Sequence, residues 1–183
     1  MAVLGLYLVA CLLLVMAGLA KAWRPDDTAR AMGPLLRLRP DVARPFVRVL
    51  AGGEAALGVV AFWFPAPVTA GAVGASYVVF AGVVVRARLR AGPLASCDCF
   101  GTPDTPASWT HVVVDLVLAG ASLAVAATAA GDLVALLSQQ PAQGVPLVLT
   151  VAVGAWLVRL ALVELARLWG VRTQLSNGTP GRR

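Results

Sequence analysis

Two cysteines in the segment Cys97-Asp98-Cys99-Phe100-Gly101 are the residues of this sequence best suited to chemistry. Cysteines separated by one residue can close only a small, strained disulfide ring, and strain makes a disulfide a better oxidant. The upstream arginines 86, 88 and 90 and a predicted helix start downstream favour a thiolate, whereas Asp98 opposes it. A redox-active pair is therefore the functional hypothesis. The alternatives are two inert thiols, or half of a metal site with His111, which would need more ligands than the nearby sequence offers.

Ionisable side chains inside apolar runs form a second set of candidates: Lys21, Glu54, Asp115 and Arg159. A charge at bilayer depth costs about 2.5–3.5 kcal/mol, so such residues usually face the bundle interior and pair. Glu54 and Arg159 lie at similar depth, which predicts that they pair, with Lys21 reaching the membrane surface or joining the cluster. The cluster is either functional or a structural salt-bridge network. His111 is either a proton carrier for thiol exchange or an ordinary interfacial residue.

The elements that must position these groups are predicted to be transmembrane helices. The chain has 183 residues, of which 59% are hydrophobic and 13% charged, a balance typical of membrane proteins. At about 20 residues per span, the apolar runs predict helices near 2–22, 46–64, 68–85, 106–130 and 145–169. A short helix at 26–32 is expected on the membrane surface. The predicted fold is an all-α integral membrane protein, with an antiparallel four-helix transmembrane core plus a fifth transmembrane helix.

The positive charges predict the orientation of these helices. All 15 Lys and Arg fall in the first long connection, the cysteine connection, the C-terminal tail or the adjoining helix halves. The positive-inside rule then predicts a multi-pass protein of the inner (plasma) membrane with its N-terminus outside and its C-terminus in the cytoplasm. The same distribution accounts for the net charge of +6 without nucleic-acid binding.

Several short motifs follow one another along the chain: Gly18-Leu19-Ala20-Lys21, Gly53-Glu54-Ala55-Ala56-Leu57-Gly58, the basic segment 86–90, Cys97-Asp98-Cys99-Phe100-Gly101 and Trp109. This order resembles the MauE branch of the MauE/DoxX family of redox-associated membrane proteins. The resemblance predicts a MauE/DoxX-like four-helix membrane domain over residues 1–130. The loop and fifth helix would occupy 131–169, and a disordered cytoplasmic tail 170–183.

The resemblance also implies roles for particular residues. Cys97 and Cys99 inherit a thiol–disulfide role, and Lys21 and Glu54 an intramembrane polar pair. The family is associated with maturing a disulfide-rich dehydrogenase in methylamine utilisation, alongside a thioredoxin-like partner. The sequence departs from the family pattern at Asp98, where glycine is common, and at Val114-Asp115, where an Arg-Asn pair is common.

These observations lead to three hypotheses, of which the third is a transporter whose path the polar cluster lines. The first is a membrane-embedded thiol–disulfide oxidoreductase whose pair Cys97 and Cys99 exchanges electrons with a thioredoxin-like protein. No cofactor is required by the sequence, although a quinone is conceivable as terminal electron acceptor. The second is a non-catalytic accessory or assembly subunit of a larger membrane complex. It would dock through a helix face formed by the small residues Ala70, Gly71, Gly74 and Ala75. Charge placement attaches the cysteine loop at the cytoplasmic side, from which it could dip into the bundle and serve either side.

Overall fold

The computed structural model describes residues 2–91, 109–128, 149, 151–158 and 160. Its elements within these ranges are all helices: α1 (Ala2–Trp23), α2 (Pro25–Leu36), α3 (Pro40–Trp63), α4 (Pro67–Ala91) and α5 (Trp109–Thr128). Among the described residues, four stretches are long and apolar enough to cross a membrane, namely Val3–Trp23, Asp41–Trp63, Pro67–Leu89 and Trp109–Thr128. An all-α integral membrane fold with four transmembrane helices is thus confirmed.

A fifth transmembrane helix over 145–169 is not confirmed. Residues 149, 151–158 and 160 are helical, but the stretch that the structure describes is too short to cross a bilayer. Val151 and Ala155 belong to the same buried core as α1, and a Cβ atom on Gly154 would lie 3.5 Å from Val9 of α1. This helical segment therefore packs against the N-terminal half of α1.

Two helices are longer than their hydropathy predicts. Helix α3 begins at Pro40 rather than near residue 46, because proline suits a first helical position and Arg39 before it takes the extended conformation that proline favours (φ −68°, ψ 146°). Helix α4 continues past Val85 to Ala91. Arginine is a good helix former, so the helix extends beyond the apolar run, which is all that a hydropathy prediction detects.

Helix α2 is the predicted surface helix, extended to Pro25–Leu36. Its start again has proline at the first helical position. It ends at Arg37, which adopts a left-handed conformation (φ 55°) and donates its backbone N–H to the carbonyl of Gly33. Because α2 connects the ends of the first two candidate spans, it lies at the level of the membrane surface.

Helix α1 is the centre of the bundle and contacts α3, α4 and α5. Two fully buried tyrosines fasten it to its neighbours. The Tyr7 hydroxyl donates to the Ala61 carbonyl of α3 at 2.8 Å, and the Tyr77 hydroxyl of α4 donates to the Ala10 carbonyl at 2.7 Å. Each bond satisfies a phenol that has no water to bind.

The other extensive contact joins α4 and α5. A Cβ atom on Gly74 would lie 2.9 Å from the Leu123 side chain of α5, and Ala70 is fully buried in the core. Half of the small-residue face that the sequence predicts on α4 is thus used inside the molecule, whereas Ala75 is exposed. This packing leaves only part of that face for another protein.

Candidate functional site

The close approach of α1 and α3 depends on two glycines. A Cβ atom on Gly18 would lie 2.7 Å from both the carbonyl oxygen of Ala51 and the backbone nitrogen of Ala55. On α3, a Cβ on Gly58 would lie 2.7 Å from the carbonyl oxygen of Cys11. Real Cβ atoms do not approach that closely, so only glycine lets the two backbones touch along this seam. Gly18 lies one turn before Lys21, and the seam therefore brings Lys21 to α3.

Lys21 and Glu54 form a buried ion pair at the end of this seam. The Lys21 Nζ atom donates to Glu54 Oε2 at 2.6 Å, and the two residues are only 3% and 5% exposed. Nζ also lies 5.0 Å from the centre of the Phe80 ring on α4, where the ring face adds a favourable electrostatic contact. The ammonium of Lys21 on α1 is thus in contact with side chains of both α3 and α4.

The second carboxylate oxygen of Glu54 is an exception among buried polar atoms. Within the described part of the chain, Glu54 Oε1 is the one buried side-chain oxygen or nitrogen that lacks a hydrogen-bond partner. Buried polar atoms are usually paired, and an unpaired one needs an explanation. Oε1 is therefore an acceptor to which a proton, a water or a group from a neighbouring segment can bind.

Asp115 and His111 of α5 extend the polar cluster. They are 6% and 4% exposed, and one turn of helix separates them. Both line a small cavity of about 10 Å³, near the lower limit for one water molecule. Its other lining residues are Leu13, Ala17, Tyr77, Phe80 and Val84. Phe80 joins this cavity to the ion pair, and the charge of Lys21 acts on the Asp115 carboxylate.

This cluster lies in the half of the bundle where the cysteine segment is attached. Helix α4 ends at Ala91 and α5 begins at Trp109, so residues 92–108 connect those two ends. The Arg88 guanidinium lies 5.3 Å from the centre of the Trp109 ring and holds the ends of α4 and α5 together. His111 belongs to the first turn of α5. Of the cluster, His111 thus lies within one turn of Trp109, the residue at which the segment joins α5.

The structure brings together Lys21, Glu54, His111 and Asp115 from the residues predicted by sequence. Cys97, Cys99 and Arg159 lie outside the described residues, and so does the predicted contact between Glu54 and Arg159. The observed partner of Glu54 is Lys21, the pair that the family resemblance implies. Within the described ranges, no three His, Cys, Asp or Glu side chains are grouped to hold a metal ion.

Sequence reasoning missed Tyr77 and Phe80, the α4 residues that adjoin the cluster. Aromatic residues in an apolar run give no sign of whether they face lipid or the bundle, so nothing in the sequence distinguished them. Gly18 is different. Its position three residues before an intramembrane lysine is a signal of close packing that could have been used.

These helices and side chains define a class: small multi-pass helical membrane proteins with a buried ion pair between two of their spans. The chain belongs to the family of methylamine utilisation protein MauE, which matches residues 1–130 and thus all five helices. The DoxX part of the resemblance is not confirmed. No curated protein and no solved structure matches the chain.

Proposed function

We propose that the protein is a membrane thiol–disulfide oxidoreductase in which Cys97 and Cys99 cycle between dithiol and disulfide. The observation that carries the proposal is the position of the buried Lys21–Glu54 pair, in the half of the bundle from which the cysteine segment leaves α4 and returns to α5. Unpaired charges are costly in a membrane. A cluster built around one lysine and two carboxylates suits chemistry in which protons are exchanged nearby.

The reaction requires a disulfide-bearing partner of the thioredoxin-like type. A thiolate of the pair attacks one sulfur of the partner disulfide, which forms a mixed disulfide and releases the first partner thiolate. The second cysteine then attacks the sulfur bound to the first, closes the Cys97–Cys99 disulfide and releases the second partner thiolate. Two electrons pass to the partner, and the two protons lost by the cysteines are taken up by its thiolates. The reverse sequence reduces the pair.

The polar cluster supports these steps through charge and proton binding. The ammonium of Lys21 favours a thiolate held near it. The unpaired Glu54 Oε1 can accept a proton from a thiol that approaches from the loop, and Asp115 provides a second carboxylate one turn from His111. Lys21, Glu54, Asp115 and His111 are thus proposed as positioning and proton-binding residues. Arg159 joins the proposal by its sequence position alone.

The family provides the setting for this chemistry. Its name associates MauE with methylamine utilisation, and we place this chain in the maturation of a disulfide-rich client in that process. We place the chain in the plasma membrane, and the distribution of its 15 Lys and Arg supports an N-terminus outside and a C-terminal end in the cytoplasm. The proposed partners are the lipid bilayer and a thioredoxin-like protein.

A thiol-labelling gel shift on membranes tests the proposal. After oxidation and then unfolding, a polyethylene-glycol maleimide should label one cysteine, and after reduction three. Cys97→Ser and Cys99→Ser should each abolish this difference, whereas Cys11→Ser should preserve it. If both loop thiols stay reduced under every oxidant tried, the redox proposal is wrong. Purification that always brings down one large membrane complex would then support the accessory-subunit function.

The role of Glu54 is tested by the pH dependence of thiol alkylation. Glu54→Gln keeps the shape of the side chain but removes its proton-binding capacity. The pH at which Cys97 and Cys99 become reactive toward the alkylating reagent should therefore change. Asp27→Asn, a change on the surface helix α2, is the matched control and should leave the profile unchanged. Identical profiles for all three proteins would exclude Glu54 from the thiol chemistry.

A further inference from the structure

A large cavity lies at the surface end of the bundle, between α2 and the start of α3. Its volume is about 900 Å³, within the range of small-molecule sites. Four arginines line it, Arg30, Arg37, Arg39 and Arg44. The remaining lining is Asp26 with Ala29, Gly33, Leu38 and Ala43. The cavity therefore combines several guanidinium groups with small apolar side chains.

The arginines have hydrogen-bond donors to spare. Arg44 Nε lies 2.9 Å from Asp26 Oδ1, and Arg39 Nε lies 3.3 Å from Asp41 Oδ1. Each guanidinium carries five N–H donors in a fork that matches carboxylate and phosphate groups. One contact with an aspartate therefore orients the guanidinium and leaves its other N–H groups able to bind a ligand. Arg37 has no ion-pair partner among the described residues. From residue 24 to residue 48, six arginines stand against three aspartates.

The backbone at Arg37 is a separate observation. Its φ of 55° is left-handed, a conformation that glycine adopts at helix ends at no steric cost. A long side chain here is held in a conformation that disfavours it. Such outliers point to a function for the side chain that occupies them, and the Arg37 side chain lines the cavity.

The depth of the cavity indicates the ligand. Helix α2 connects the ends of two candidate spans, Val3–Trp23 and Asp41–Trp63, so the cavity lies at the level of lipid headgroups. We propose that it binds a phosphate-bearing anion, and that in the membrane this anion is the headgroup of an anionic phospholipid. The guanidinium forks bind the phosphate, and the alanines, glycine and leucine contact the lipid next to it. Basic clusters beside spans attract anionic lipids.

Retention of phosphatidylglycerol by the purified full chain tests this site. The protein in neutral detergent is mixed with phosphatidylglycerol or phosphatidylcholine, and bound lipid is counted by native mass spectrometry. Wild-type protein should retain more phosphatidylglycerol than phosphatidylcholine. The double variant Arg37→Gln with Arg39→Gln should lower this retention about tenfold, because each arginine near an anionic lipid contributes several-fold to binding. Arg48→Gln, an exposed α3 arginine outside the cavity, is the matched control and should behave as wild type.

A second variant guards against misfolding. Arg37→Gly suits the left-handed backbone, so it should keep or raise the thermal stability while still lowering lipid retention. A competition arm with inorganic phosphate distinguishes the sources of the anion. If phosphate does not displace the lipid, the ligand is a lipid headgroup; if it displaces the lipid fully, the cavity is a phosphate site for a soluble ligand. Equal retention of the two lipids, or an equal loss in Arg48→Gln, would overturn the proposal.

Discussion

Lys21 of α1 and Glu54 of α3 are 33 positions apart in the sequence, yet their charged atoms lie 2.6 Å apart inside the bundle. Neither charge reaches solvent to any useful extent. Such a pair offsets the cost of burying each charge but gains little beyond that. The pair therefore fixes how α1 and α3 are placed. The stability lost on mutation should depend on whether one partner or both are removed.

Removing one partner of the pair should cost more than removing both. Glu54→Leu leaves Lys21 buried without its ion-pair partner and should lower the free energy of unfolding by about 3–5 kcal/mol. The double variant Lys21→Met with Glu54→Leu should recover most of that loss. Denaturant unfolding in detergent, followed by circular dichroism, gives both values. Arg30→Gln, at an exposed ion pair with Asp27, should change stability by less than about 1 kcal/mol. A double variant no more stable than Glu54→Leu would contradict this account.

The glycine seam gives a second prediction. Gly18→Ala places a methyl group against the backbone of α3 and should destabilise the protein by about 1–3 kcal/mol, since the helices must separate. Gly5→Ala on the same helix meets no atom within 4 Å and should be neutral or slightly stabilising. Thermal unfolding of the two variants side by side measures the difference. Equal midpoints would show that the close approach is not required.

The hydrogen bonds from tyrosine hydroxyls between helices should each contribute modestly to the free energy of unfolding. Tyr77→Phe removes the bond to the Ala10 carbonyl but leaves the ring, so a loss of about 0.5–1.5 kcal/mol is expected. Ser76→Ala serves as control, because the Ser76 hydroxyl donates to the Ala72 carbonyl of its own helix. Denaturant titration in detergent compares them. The interpretation fails if the serine change costs as much as the tyrosine change.

Cys11 is expected to be inert in the folded protein. Its side chain is fully buried between α1 and its neighbours, so a maleimide should label it only when the bundle opens. In a background with Cys97→Ser and Cys99→Ser, labelling of Cys11 should therefore follow unfolding by denaturant. A cysteine placed by Trp23→Cys, at a residue 88% exposed, should react at once under all conditions. Rapid labelling of Cys11 without denaturant would show that the core is open.

The sequence predicts the membrane helices of this fold but not all of their ends. Twenty apolar residues in a row specify a span, since a helix satisfies its backbone polar groups within its own segment, as lipid requires. The arginine-bearing turns at the start of α3 and the end of α4 carry no such signal, because their helical state depends on capping and on helix propensity in water. The sequence estimates of those two spans were accordingly too short.

The candidate site shows where single-sequence reasoning stops. Depth along each helix predicted that Glu54 pairs with Arg159, but depth says nothing about which faces meet. The contact with Lys21 depends on the rotation of α1 and α3, which the glycine seam at Gly18 and Gly58 sets. Family motifs suggested this pair because they carry that tertiary information.

The order of synthesis gives the Lys21–Glu54 pair a further consequence. The ribosome completes α1 well before it reaches Glu54, so the first helix meets the translocon while its lysine has no counter-charge. Lys21 lies in the last turn of α1, so its unmatched charge raises the cost of entry by less than the roughly 3 kcal/mol that a lysine costs at a helix centre. We therefore expect α1 and α3 to partition into lipid as a hairpin, with truncated nascent chains that stop before Glu54 inserting less efficiently. Replacement of Lys21 by leucine should abolish that dependence, which glycosylation mapping of truncated chains can measure.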